Sequence, residues 1–178
     1  MESSLGGLEQ QGQVRRNHAG HVVAISGLSL VPTNHELIMD GQRWWTWCAW
    51  DALGFVHLLE RDGRICSKSP ASGLPIEVRF EGGDITADPP AAVLLLASRP
   101  EQCVPVDQWC PLVNLFESEQ AARAWMERNE VSGELQQLPQ AAAGAADHFR
   151  PLLMSDPPRP WWRRLLGWLH LQGRAHAP

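Results

Sequence analysis

Apolar and polar positions along this 178-residue chain fall mostly into short runs bounded by turn residues, the pattern of strands rather than long helices. His21–Ile25 and Leu28–Val31 are two apolar runs separated by Ser26-Gly27, which predicts a hairpin or bent strand pair. Residues 30–35 break the strand, and Glu36–Met39 is a further extended run closed by Asp40-Gly41. Beyond residue 60, Ile65–Lys68 reads as a short strand and Ile76–Phe80 alternates as a half-buried strand. Residues 81–84 form a hairpin-type turn into Ile85-Thr86. Ala91–Ala97, delimited by Pro89-Pro90, is too short for a helix and predicts a central strand. Trp109–Phe116 predicts a strand carrying Cys110 and kinked at Pro111.

Two stretches carry a helical period. Apolar residues recur as Trp47, Trp50, Leu53, Gly54 and Leu58, predicting a buried helix near 46–60. Ser118 is a good N-cap for a helix over 119–129, with Ala121, Ala122, Trp125 and Met126 on one face. Residues 1–20 are polar and poorly patterned and read as loose, and residues 138–146 as a weak helix or a linker. Pro157–Pro160 reads as a stiff spacer into Trp161–Arg174, a basic amphipathic helix. That tail suits a membrane surface or a partner, or folds back on the core. The expected fold class is α+β: one small mixed or antiparallel sheet, with strands near 22–31, 76–80, 92–97 and 110–116, packed against the 46–60 and 119–129 helices.

Composition excludes more than it assigns. A net charge of −5 argues against a general nucleic-acid binder. There is no apolar run of transmembrane length, and no apolar core followed by a cleavage site at the start, so a cytoplasmic location is the default expectation. Nine Trp accompany no Tyr, for which we have no physical account. Cys48, Cys66, Cys103 and Cys110 are too few and too scattered for a disulfide framework or a zinc ribbon. The bland reading of each is a buried, inert thiol. The histidines show no metal-site spacing, and His35 reads as structural or as the orienter of a carboxylate.

The chemistry concentrates in GQRWWTWCAWDALGFVHLLE, residues 41–60. Cys48 and Asp51 stand three apart, so on a helix they share a face. In the first turn, unpaired backbone N–H groups favour a thiolate. Trp44, Trp45, Trp47 and Trp50 surround the pair in sequence, either as core packing or as walls for an apolar group. A carboxyl walled by indoles has a raised pKa, which suits a proton donor.

The stretch GLSLVPTNHELIMDGQRWWTWCAWDALGF resembles the heart of the alkylmercury (organomercurial) lyases, the MerB family. The likeness continues through SKSPASGLPI, Asp88-Pro89-Pro90 and WCPLVNLFESEQAARAW, and covers about Val14 to Leu153. It implies that Cys48 and Cys110 are the two catalytic cysteines and Asp51 the catalytic acid, the same three also touching mercury. Soft Hg(II) suits a thiolate pair, and a carboxylic acid set against the bound carbon can protonate it and release a hydrocarbon. The implied activity is carbon–mercury lyase chemistry in mercury resistance and detoxification. No cofactor is expected; Hg(II) is bound as product, and small thiols or a mercuric reductase take it away. The implied partner is the organomercurial itself, with no nucleic acid.

The resemblance also sets boundaries: residues 1–40 as a remnant of a winged-helix-like N-terminal region, 41–153 as the catalytic core, and 154–178 as a Pro-rich linker with the amphipathic tail. Only the final hairpin of the family's N-terminal domain, about Val14 to Leu30, is recognised. Ser69 stands where many members have a further cysteine, and Pro111 where many have a second one after the strand cysteine. Cys66 and Cys103 match no catalytic position; Cys103 carries the weaker reading of an auxiliary ligand. Three alternatives stay open: a non-catalytic protein that binds or delivers soft Hg or Cu, a lyase for another organometal or metalloid, and the family fold reused with no metal chemistry, its cysteines and Asp51 then being structural.

Overall fold

A computed structural model describes residues 2–154. The expected 161–174 helix lies outside the described residues. The elements run α1 (Glu2–Gln10), β1 (Val14–Arg16), β2 (Val22–Ile25), β3 (Leu28–Ser29), β4 (His35–Met39), β5 (Gln42–Thr46) and α2 (Ala49–Leu59). They continue as β6 (Gly63–Lys68), β7 (Pro75–Glu81), β8 (Asp84–Asp88), β9 (Val93–Ala97), β10 (Asn114–Phe116), α3 (Glu119–Asn129), β11 (Gly133–Gln137) and α4 (Leu138–Met154). None of these helices is long and apolar enough to cross a membrane.

The α+β class holds, but the strands form two sheets rather than the single small one expected. Eight strands pair in the order β1-β2-β3-β5-β4-β6-β7-β8, and three in the order β10-β9-β11. Every pairing is antiparallel. The expected 22–31 and 76–80 strands fall in the first sheet, and the 92–97 strand is the centre of the second. Ser118 caps α3 as expected, its hydroxyl accepting the Ala121 N–H.

Four expectations need correction. The predicted 46–60 helix starts only at Ala49, because residues 42–46 are β5. Asp40 and Gly41 both take positive φ, 52° and 72°, the two-residue turn whose twist matches paired strands. That turn folds the aromatic, Thr-ended QRWWT back along β4, from Met39↔Gln42 to His35↔Thr46. The predicted 110–116 strand is extended only over β10, since Cys110–Leu112 is a 3-10 turn following a single π-type turn at Pro105–Trp109. Pro111, with fixed φ and no N–H, suits the start of such a helical turn. The N-terminal stretch read as loose contains α1 and β1.

The last correction concerns residues 131–154. Gly133–Gln137 is a strand paired along the whole of β9, and α4 is a full helix rather than a weak helix or linker. Its alanines are its packing face: Ala141, Ala142, Ala145 and Ala146 are all buried. They lie against Gly54 of α2, where an added Cβ would stand 2.8 Å from Ala145 Cβ and 2.9 Å from the Phe149 ring. Phe55 and Phe149 stack beside this contact at 4.7 Å. Small residues therefore bring the two helices within backbone reach, and α2 is held between α4 and the sheets, among Leu37, Ile65, Val78, Leu94 and Leu115. A helix apolar nearly all round belongs in such a position.

Candidate active site

Cys48 follows β5 directly and is the N-cap of α2, with extended backbone (φ −144°, ψ 171°). It is therefore just outside the first turn rather than in it. Asp51 is the third residue of the helix, and its carboxyl reaches back to the Cys48 N–H in the reciprocal pattern of a capping box. Asp51 Oδ2 accepts both that N–H, at 3.1 Å, and the Cys48 thiol, at 3.2 Å. Thr46 Oγ1 donates to the Cys48 carbonyl at 2.9 Å, fixing the exit from the strand.

Cys110 arrives from a sequence separation of 62 residues on a turn that is pinned at several points. Ala49 N–H donates to the Val113 carbonyl at 3.2 Å, tying the start of α2 to the residue that ends the turn. Val113 N–H closes the turn on the Cys110 carbonyl at 3.1 Å. Asn114 Nδ2 donates to the Pro111 carbonyl at 2.7 Å, and Trp109 Nε1 to the Ala97 carbonyl at 2.7 Å. Ligating atoms of Cys48, Asp51 and Cys110 thereby lie within 4.8 Å of one another. The three residues are 0%, 5% and 3% exposed, so the cluster sits in the core and not in an open cleft. The broad cleft of about 630 Å³ lined by Asp40, Asp62, Arg64 and Arg79 contains none of them.

Burial governs the protonation of this cluster. It pushes the Asp51 carboxyl up to about 7, against the lowering influence of its hydrogen bonds to Cys48. Burial likewise drives the Cys48 thiol well above its usual value, reinforced by hydrogen bonding with Cys110 and by the charge of Asp51. The Cys48 thiol therefore keeps its proton, despite the helix N-terminus beside it, while Asp51 can take up or give back a proton near neutrality. A soft cation that replaces the thiol proton finds a carboxyl one hydrogen bond away, ready to accept it.

His35 is not the orienter of a carboxylate. Its ring is buried, with Nδ1 2.9 Å from Ser67 Oγ and a second hydrogen bond to the Asn114 side chain. Desolvation lowers its pKa to about 4, so it is neutral at physiological pH. Ser67, His35 and Asn114 form a buried polar chain that ends on the Pro111 carbonyl, beside Cys110.

The tryptophans divide between the two sheet faces and the core. Trp44 is exposed on β5, and Trp50 packs edge-on against Trp109 at 6.0 Å and close to Phe149 at 6.1 Å. Core packing accounts for Trp50. The buried indole N–H groups of Trp47 and Trp50 find no acceptor among the described residues. Cys66, half-buried on β6 near Glu77, and Cys103, packed at the core's edge, lie outside the cluster of ligating atoms. Sequence reading missed Asn114, which holds the Cys110 turn, and the Ser26-Gly27 turn, which lies on the Asp51 carboxyl. The two-residue hairpin signal was present in the chain; what it packs against was not.

Comparison with known proteins gives a single direction. The MerB alkylmercury lyase family model matches residues 28–150. An alkylmercury lyase of Streptomyces lividans is 32% identical over 108 residues, 60% of this chain and 50% of that protein. One from Bacillus cereus is 30% identical over 123 residues, 68% of this chain and 56% of that protein. The chain thus spans about half the length of these curated relatives. The crystal structure of the mercury-bound form of MerB2 superposes with a TM-score of 0.78 at 25% identity, over 85% of this chain and 74% of that one.

Proposed function

The chain belongs to the MerB alkylmercury lyase family, and from that premise we propose that it cleaves carbon–mercury bonds by protonolysis, with Cys48, Cys110 and Asp51 as the reacting groups. The observation that carries the reading is the convergence of two thiols and one raised-pKa carboxyl within 4.8 Å in the core.

In the proposed sequence, Cys48 and Cys110 displace the leaving group X from R–Hg–X. One thiol proton departs with X as HX. The Cys48 proton passes to Asp51 across their 3.2 Å hydrogen bond. Two thiolates on mercury raise electron density on the bound carbon. Asp51 then delivers its proton to that carbon, the carbon–mercury bond breaks with its electron pair on carbon, and R–H leaves. Hg(II) stays on the two thiolates. A small thiol, or a mercuric reductase as partner, removes it and restores both protons. An acid with a pKa near 7 suits the task, since it can both take up and give back a proton near neutrality.

The test is incubation of the reduced protein with phenylmercury and excess small thiol, following benzene and inorganic mercury. The expected result is repeated turnover that disappears in Cys48→Ala, Cys110→Ala and Asp51→Ala. Mercury held one-to-one with no benzene would overturn the proposal in favour of a soft-metal binding protein.

A further inference from the structure

The Asp51 carboxyl has two sides, and only one faces Cys48. Oδ2 takes both hydrogen bonds from Cys48. The other side lies against Gly27, in the turn between β2 and β3. An ideal Cβ built on Gly27 would stand 2.9 Å from Asp51 Cγ, 3.0 Å from Oδ1 and 3.3 Å from Asp51 Cβ. The turn is anchored where it makes this approach. Gly27 C=O accepts the Trp47 N–H at 2.8 Å, the residue immediately before Cys48. Ser26 N–H donates to the Gln13 carbonyl at 2.8 Å. β3 pairs with β5 from Leu28↔Thr46 onward. The turn therefore cannot withdraw without breaking the strand that leads into Cys48.

From this geometry we infer that Gly27 is a positioning residue for Asp51: its bare backbone is a wall that holds the carboxyl against Cys48. The inference rests on the protonolysis reading for its catalytic consequence, but not for its geometry. A side chain here would occupy the space of the carboxyl itself. Asp51 would have to rotate away from Cys48 Sγ, or the hairpin would have to lift. Where Asp51 rotates and the hairpin stays, the two cysteines still meet, since Cys110 is held by Val113, Asn114 and Trp109 through contacts that do not involve Gly27. Capture of mercury and delivery of the proton thus separate at this residue.

Positive φ complicates the obvious variant, because Gly27 has φ +94° and any L-residue there is strained. The fold supplies a control. Gly41, in the β4–β5 turn, has φ +72° and nothing within 4 Å of an added Cβ. Gly41→Ala therefore carries the backbone strain without the encounter with Asp51. In full-length protein, Gly27→Ala is expected to lower kcat for benzene release from phenylmercury by about 100-fold, with KM changed less than about threefold, as for a group displaced by an ångström. Gly41→Ala is expected to keep both constants near the wild-type values. The side-chain carboxyl 13C resonance of Asp51, assigned by its loss in Asp51→Asn, should move in Gly27→Ala and stay in Gly41→Ala. Unchanged kcat in Gly27→Ala, or equal losses in both variants, would overturn the inference. If the wild-type protein releases no benzene, the lyase reading fails instead. The carboxyl resonance then still decides whether Gly27 positions Asp51, an unmoved resonance in Gly27→Ala counting against it.

Discussion

Asp51 Oδ2 accepts both the backbone N–H and the thiol of Cys48, at 3.1 and 3.2 Å, so the helix cap and the proposed proton path are one contact. Asp51→Asn keeps an amide oxygen for the Cys48 N–H and removes the transferable proton. It should fold, bind one mercury per chain through the two cysteines, and release hydrocarbon 10²–10⁴-fold more slowly, about the range of a lost general acid. Mercury stoichiometry on the reduced variant and gas chromatography of released benzene check the two halves separately.

The same contact makes stability depend on pH in a stated direction. Asp51 has a folded-state pKa of about 7 against 3.8 when free. A raised pKa means that the folded state holds the proton more tightly than the unfolded chain does. Its stabilising contribution is whole below about pH 4 and is lost as pH rises towards 7. The shift corresponds to roughly 4 kcal/mol by linkage. Asp51→Asn should therefore be more stable than wild type at pH 8, with the difference vanishing near pH 4, as urea titrations at several pH values would show. His35 works in the opposite sense: lowered from 6.5 to about 4, it adds stability above 6.5 that is lost as pH falls towards 4. Between about pH 4 and 6.5 the two slopes oppose and nearly cancel, so wild-type stability should vary little there, while in Asp51→Asn the His35 dependence is left bare and stability should rise with pH over that range.

Asn114 bridges His35 and the Pro111 carbonyl. Asn114→Ala leaves both without that partner in the core, at a cost of about 1–3 kcal/mol. Because Pro111 follows Cys110, the variant should also hold mercury less tightly, while Ser67→Ala, one step further along the chain, should cost less on both counts. Competition with a small dithiol measures the first effect, and thermal unfolding the second.

Gly54 meets Ala145 and Phe149 where α2 crosses α4. Gly54→Ala should destabilise by about 1–3 kcal/mol through overpacking, despite the better helix propensity of alanine. Gly144, on α4 with nothing within 4 Å of an added Cβ, should instead gain stability on change to Ala. Denaturant midpoints of the two variants should move in opposite directions.

Much of this molecule was legible along the chain. Alternation marked Ile76–Phe80, flanking prolines and shortness marked the 92–97 strand, and Ser118 marked the start of α3, because each is set by neighbours a few residues away. Cys48 and Asp51 could be paired for the same reason, three positions apart at a helix start. What the sequence left undecided depends on contacts between distant segments. QRWWT is a strand because β4 and β3 flank it, and Gly133–Gln137 is one because β9 offers an open edge. The alanines of residues 141–146 gain their meaning only against Gly54. Cys110 reaches Cys48 across 62 residues because Val113 bonds Ala49 and Asn114 bonds Pro111, and Gly27 meets Asp51 because β3 pairs with β5. Local propensity and spacing determined the elements and the reactive residue types; long-range hydrogen bonding and close packing alone decided which of them meet.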